Sequence, residues 1–209
     1  MEAASGQPTS VLVACKNPEV ALEIQLAMSD DLFRVYTGTD MIGAELGGAV
    51  KNVLAIACGA AAGYGFGSNT AALLMTRGLM EMTRLAVKKG ALPSTMMGLA
   101  GVGDLVLTCT SKQSRNFTVG QRIAKGETLE DIMKSTNQIA EGVKTSESIH
   151  LLARKLGVEM PICEQVYQVL HHKKPFIKAL EELKSRPLGP ELEGFEHDLA
   201  AAGTALAKL

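Results

Sequence analysis

The chain has 209 residues, 46% of them hydrophobic and 21% charged, which is enough apolar material for a packed core and argues against disorder over most of the length. Lys plus Arg number 21 and Asp plus Glu 22, so a formal charge of -1 gives no electrostatic reason to expect nucleic acid or an anionic membrane as partner. The four cysteines, Cys15, Cys58, Cys109 and Cys163, lie far apart with no CxxC or Cys/His cluster, which speaks against zinc and for free, buried thiols in a reducing compartment.

The first forty residues differ from the rest. Thr9 to Cys15 is a short β-branched run after Pro8 and predicts a buried strand. Asn17 before Pro18 predicts a capped helix over Pro18 to Met28, and Phe33 to Thr37 a second strand. Strand, helix, strand is the βαβ unit of a parallel sheet, here too small to bury its own faces. From Met41 the pattern turns helical. Ile42 to Ala62 is apolar on nearly every side, as in a buried helix, and its glycines Gly43, Gly47 and Gly48 suit a place where backbone or ligand comes close. GYGFG, Gly63 to Gly67, reads as a loop, and Thr70 to Lys89 as a helix ended by Gly90.

Further helices are predicted over Pro93 to Leu99, Phe117 to Lys125, Thr128 to Ser135 with a capping-box start, Glu141 to Leu156, Ile162 to His172 and Pro175 to Leu183. Apolar stretches are interrupted by Gly, Lys or Asn short of a membrane span. The start shows no signal peptide. A cytoplasmic location is therefore expected, or an organelle if a transit peptide precedes this sequence. The organisation expected is residues 1–40 as the remnant of an α/β domain, 41–186 as a helical domain, and 187–209 as a loose tail.

Three segments carry polar groups in apolar surroundings. In GAELGGAVKNVLAIACGAAAG, Lys51 and Asn52 interrupt an almost uncharged run. A snorkelling surface lysine is the ordinary reading, but the small residues around it offer little surface to cover its stem, and a desolvated ammonium is suited to proton donation. In GLAGVGDLVLTCTSKQSRN, Asp104 follows a glycine-rich turn, Thr108 lies one helical turn on, and Ser114, Arg115 and Asn116 follow. Here a helix N-cap competes for Asp104 and a solvated surface charge for Arg115. In NQIAEGVKT, Glu141 and Gly142 fall where a helix begins, so a favourable first-turn acid competes with a ligand contact. No GxGxxG follows a strand, and no Ser/His/Asp arrangement is present.

These segments, with GVEMPICEQVYQVL, resemble the bacterial and plastid type of NAD(P)-dependent glycerol-3-phosphate dehydrogenase over about residues 6 to 183. The resemblance implies a mainly α fold: an all-helical C-terminal domain with a small strand-helix-strand remnant of a Rossmann domain. It implies NAD or NADP as cofactor, glycerol 3-phosphate and dihydroxyacetone phosphate as small-molecule substrates, a supply of glycerol 3-phosphate for phospholipid synthesis, and it leaves a homodimer open. Lys51 matches the family's catalytic lysine, Asn52 its companion at the substrate, and Asp104 and Thr108 the pair that orients the lysine. Arg115 matches the arginine that binds the substrate phosphate and reaches the cofactor, with Ser114 and Asn116 beside it. Ile139 and Glu141 match the contact to the adenosine side of the cofactor. The family's GxGxxG, its early lysine and its SGPSFA-type segment do not occur here; the resemblance places them upstream of residue 1. A non-enzymatic helical module for oligomerisation or partner binding is the alternative, and the presence of Lys51, Asp104 and Arg115 together argues against it.

Overall fold

The computed structural model describes residues 3–136 and 140–191. Strands β1 (Thr9–Ala14) and β2 (Phe33–Gly38) pair in parallel, Thr9 opposite Phe33 and Ala14 opposite Gly38. Helix α1 (Pro18–Met28) joins them. The Asn17 side chain accepts from the Glu19 and Val20 amides at 2.9 and 3.4 Å, which closes the first turn that Pro18 preorganises. Gln25 donates to the Val35 carbonyl at 2.6 Å and ties α1 to β2. Cys15, expected to be buried, is only half so, because it leaves the end of β1 toward solvent.

After residue 40 the regular secondary structure among the described residues is all helical, joined by short turns and loops. Helix α2 (Met41–Tyr64) is the axis: α3 (Ser68–Lys88), α5 (Asp104–Thr110), α6 (Arg115–Ala124), α8 (Glu141–Leu156) and α9 (Pro161–His171) all pack on it. Val50, Val53, Leu54, Ala55 and Cys58 of α2 are at most 1% exposed, and with Met82, Leu85, Leu105 and Ile132 they form one continuous core. By length and composition alone α2 could cross a membrane, yet its apolar sides are taken up by neighbouring helices. The remaining helices are α4 (Pro93–Met96), α7 (Leu129–Lys134) and α10 (Phe176–Lys184).

Small residues set the closest crossing. A Cβ on Gly59 would sit 1.9 Å from the Phe117 carbonyl oxygen, and one on Gly120 2.0 Å from that of Ile56, so α2 and α6 meet backbone to backbone. The same contact explains a departure from expectation. GYGFG is not a loop throughout: α2 continues through Gly63 and Tyr64, packed on Gln121 of α6, and stops at Gly65, whose φ of 99° gives the left-handed cap.

A buried carboxylate organises the opposite end. Glu81 of α3 is 1% exposed and accepts from the Ile162 and Cys163 amides at 2.7 and 3.1 Å, serving as the cap of α9 from a distant helix. Burial pushes its pKa up to about 7 against the pull of those donors, and burial beside Glu81 pushes the Cys163 thiol well up as well. Of the tail expected over 187–209, residues 187–191 are described and exposed; the rest lies outside the described residues.

Candidate active site on helix α2

Asp40 fixes where α2 starts. Its carboxylate accepts from the Gly43 amide at 2.9 Å, the Leu92 amide at 2.8 Å and the Thr95 hydroxyl at 2.7 Å. Burial raises the Asp40 carboxyl, but these donors together outweigh it and hold its pKa below the ordinary value. The residue was not singled out from sequence, although an aspartate directly before an apolar helix is an N-cap signature.

One turn further on, α2 touches the segment that carries Asp104. Leu99–Gly103 forms a π-helical turn, in place of the last residues of the helix expected over Pro93 to Leu99. A Cβ on Gly47 would lie 2.1 Å from the Ala100 carbonyl oxygen, so only glycine lets the two backbones meet there. β1 packs on the same π-helical turn, which sets the site beside the strand-helix-strand segment.

The turn delivers Asp104 as the first residue of α5. It is not the N-cap: it has helical φ and ψ, and no side-chain capping bond closes α5. Its carboxylate instead pairs with the Lys51 ammonium through Oδ2, while the Thr108 hydroxyl donates to Oδ1 at 3.3 Å. The Lys51 side chain is 20% exposed and that of Asp104 32%, so the pair stands at the surface of the core rather than inside it. Lys51 therefore is neither a snorkelling lysine nor a fully desolvated one. Below the pair, the free Cys109 thiol of α5 shares a hydrogen bond with the Cys58 thiol of α2, and that contact together with burial pushes its pKa well up.

A second chain of bonds begins at the next residue. Asn52 donates to the Gly48 carbonyl at 3.1 Å, Asn116 donates to the Asn52 oxygen at 2.9 Å, and the Asn116 oxygen accepts the Gly142 amide at 2.9 Å. Because the Gly142 amide can only donate, it fixes the orientation of both carboxamides. Asn52 and Asn116 are 8% and 7% exposed, and each keeps one amide hydrogen beyond these bonds. Any side chain at 142 would collide with the Asn52 carbonyl oxygen, 2.6 Å from an added Cβ. Gly142, which the sequence marks with Glu141 as a helix start, thus belongs to the site through its backbone; its signal is a glycine one position into a helix, where the residue is otherwise unfavourable.

The other candidates sit at the rim. Ser114 caps α6 by accepting the Phe117 amide at 3.3 Å. Arg115 opens α6, is exposed, and forms no ion pair among the described residues. Glu141 opens α8 and is exposed. Ile139 lies outside the described residues. The structure thus joins Lys51 to Asp104 and Thr108, and Asn52 to Asn116, and leaves Arg115 and Glu141 open to solvent on either side of the Asn116–Gly142 bond. An ammonium backed by a carboxylate can donate a proton, and a free guanidinium can grip an anion.

Residues 40–181 match a family model described as the C-terminus of NAD-dependent glycerol-3-phosphate dehydrogenase. Glycerol-3-phosphate dehydrogenase (NAD(P)+) of Geobacter sp. strain M21 is 55% identical over 190 residues, covering 91% of this chain and 57% of that protein. The enzyme of the same description from Geobacter sulfurreducens is 54% identical over 184 residues, covering 88% and 55%. Among solved structures, glycerol-3-phosphate dehydrogenase from Coxiella burnetii superposes with a TM-score of 0.85 at 42% identity over 88% of this chain and 57% of that one. The chain spans a little over half the length of the relatives it matches.

Proposed function

The chain belongs to the NAD-dependent glycerol-3-phosphate dehydrogenase family, matching its C-terminal part, and from that premise we propose that it supplies the catalytic half of an enzyme interconverting sn-glycerol 3-phosphate and dihydroxyacetone phosphate. The observation that carries this reading is the Lys51–Asp104–Thr108 cluster, assembled from two helices at a glycine contact, with Arg115, which forms no ion pair among the described residues, next to the Asn116 that bonds Asn52.

Lys51 faces the oxygen on C2 of the substrate. Its ammonium stabilises negative charge as the carbonyl is reduced and gives that oxygen a proton; in the reverse direction the amine takes the proton back. Asp104 holds the ammonium in position, and Thr108 holds the carboxylate, so the lysine does not have to be ordered during the reaction. The remaining amide hydrogens of Asn52 and Asn116 are the donors left for substrate hydroxyl or phosphate oxygens. Gly48, one turn before Lys51, has open space where a Cβ would be, room for a ligand to lie close to α2.

Arg115 grips the phosphate with two parallel hydrogen bonds, and Ser114 keeps the first turn of α6 closed beneath it. Hydride transfer is the chemistry supplied by NAD or NADP. On this chain the groups placed to hold such a cofactor are Arg115 and Glu141, both exposed and both anchored through Asn116 and Gly142 to the helix that bears Lys51. In this reading the strand-helix-strand segment up to about residue 40 belongs to the cofactor-binding domain, and the helices from α2 onward form the substrate domain.

The test uses the complete polypeptide including its nucleotide-binding half. Arg115→Ala is expected to raise the KM for dihydroxyacetone phosphate by about 10-fold or more, the worth of a charged hydrogen bond. Arg115→Lys restores part of the loss, because a point charge lacks the two-pronged geometry. Dihydroxyacetone, which has no phosphate, serves as control and is expected to be hardly affected. Equal losses on both substrates would remove the phosphate role.

A further inference from the structure

Away from the site, α3 and the end of α10 border a trough of about 880 Å³. None of Lys51, Asn52, Asp104, Thr108 or Asn116 lines it. Arg77, Arg84 and Lys88 reach it from one face of α3, and Lys184 and Arg186 from the end of α10 and just beyond. Two carboxylates also face it. Glu81 is buried and occupied with the Ile162 and Cys163 amides, and Glu159 pairs with Arg186 at 2.9 Å. Among the described residues, five cations against two acids is a local excess in a chain whose formal charge is -1. Leu73, Val158 and Ile162 add apolar wall.

The spacing selects the occupant. From Arg77 to Lys88 is about 16 Å along a helix, too far for one phosphate to span. An extended chain with several acidic groups and intervening apolar residues fits instead. Such a chain starts at the trough: the Arg77 guanidinium donates to the Glu191 carbonyl at 2.7 Å. The sequence from there, Glu-Leu-Glu-Gly-Phe-Glu-His-Asp-Leu, holds Glu191, Glu193, Glu196 and Asp198 with Leu192, Phe195 and Leu199 between them, and no Lys or Arg occurs again before Lys208. Eight extended residues reach about 26 Å, enough to pass every cation of the α3 face.

We propose that this trough is the docking site of the acidic segment immediately C-terminal to it in the same chain, residues 192–199. Lys88 and Lys184 are the counter-charges the trough offers to its carboxylates, and Leu73, Val158 and Ile162 are the apolar wall it offers to its apolar residues; Arg84 already donates to the Glu159 carbonyl at 3.0 Å. Each exposed ion pair is weak by itself and screened by salt, so the contact depends on charge and apolar burial together. Docking there is independent of the dehydrogenase activity.

The full chain is treated with chymotrypsin, and cleavage after Phe195 is followed by mass spectrometry, each rate being divided by that of a free peptide with the same local sequence. Protection of 10-fold or more is expected in the natural chain. Lys88→Glu with Lys184→Glu is expected to abolish it without lowering Tm, and adding Glu193→Lys with Glu196→Lys is expected to restore it. Cleavage as fast as in the free peptide would overturn the proposal. So would protection that survives the charge reversal, or a charge swap that restores nothing. Protection that fades on dilution would place a second copy's segment in the trough and would equally contradict docking within one chain.

Discussion

The helical region and the strand-helix-strand segment before it are built to different standards of closure. Around the middle of α2, from Val50 to Ala61, most side chains are buried by neighbouring helices, and residues on α2, α3, α5, α6, α8 and α9 share one core. In the segment up to residue 40, only Ala21 and Val35 are buried hydrophobics among the described residues, while Leu22, Leu26, Met28 and Tyr36 are each about half exposed or more. Among the described residues, β1 and β2 have only each other in the sheet. A two-stranded parallel pair with one helix cannot bury both faces, whereas a helix with five neighbours can. The contrast teaches where the site's rigidity comes from: the side chains proposed as catalytic are anchored on the closed region, at its border with the open one.

Core truncation should show the contrast most strongly. Leu54→Ala, at a position 1% exposed, is expected to cost about 2–5 kcal/mol in denaturant unfolding. Leu26→Ala, at a position 72% exposed, is expected to change stability by no more than about 0.5 kcal/mol. Comparable losses at both positions would mean that the strand-helix-strand segment has a core of its own, and the contrast would fail.

The next effect is set by pH. Since Glu81 has its pKa raised from 4.5 to about 7, the folded protein keeps a proton there that the unfolded chain has already released. Its contribution to stability is full below pH 4.5 and is lost as pH rises through about 7, by up to about 3 kcal/mol. Glu81→Gln keeps an acceptor for the Ile162 amide and removes the proton. Unfolding free energies at pH 5 and pH 8 should therefore fall more steeply in the natural chain than in the variant. Parallel pH curves would show that Glu81 titrates in the ordinary range.

The smallest effect is at the border itself. Asp40→Ala removes the N-cap of α2 and its link to Leu92 and Thr95, and should cost about 1 kcal/mol at pH 7. With the folded pKa below the ordinary value, that contribution is present above the usual carboxylate range and is lost as pH falls below it. The difference between the natural chain and the variant should thus shrink by pH 3. A pH-independent difference would assign the loss to backbone or packing instead of to the charge.

Much of this was legible in the residues. The β-branched run after Pro8, the Asn-Pro start of α1 and the apolar length of α2 are local signals, and local signals mark elements well. Lys51 stood out because a lone charge in an apolar run needs a reason. Partners were less legible. Asp104 reads equally well as an N-cap, and only the contact between Gly47 and the π-helical turn turns it toward Lys51. Asn52 and Asn116 both looked like ligand donors, yet most of their capacity goes to each other, Gly48 and Gly142. Glu81 fell among the polar positions of an amphipathic helix, and nothing in the spacing tells that α9 begins against it. Each case depends on a contact between distant segments, which periodicity does not encode.

The central proposal is that Lys51, held by Asp104 and Thr108, moves the proton in the proposed glycerol-3-phosphate dehydrogenase reaction. The most direct measurement is steady-state reduction of dihydroxyacetone phosphate by the complete polypeptide carrying Lys51→Ala, with unfolding curves to verify that the variant is folded. A general acid contributes about 10²–10⁴-fold, so kcat should fall by that order while KM changes little. A folded Lys51→Ala protein whose kcat stays within a few-fold of the natural enzyme would contradict the account.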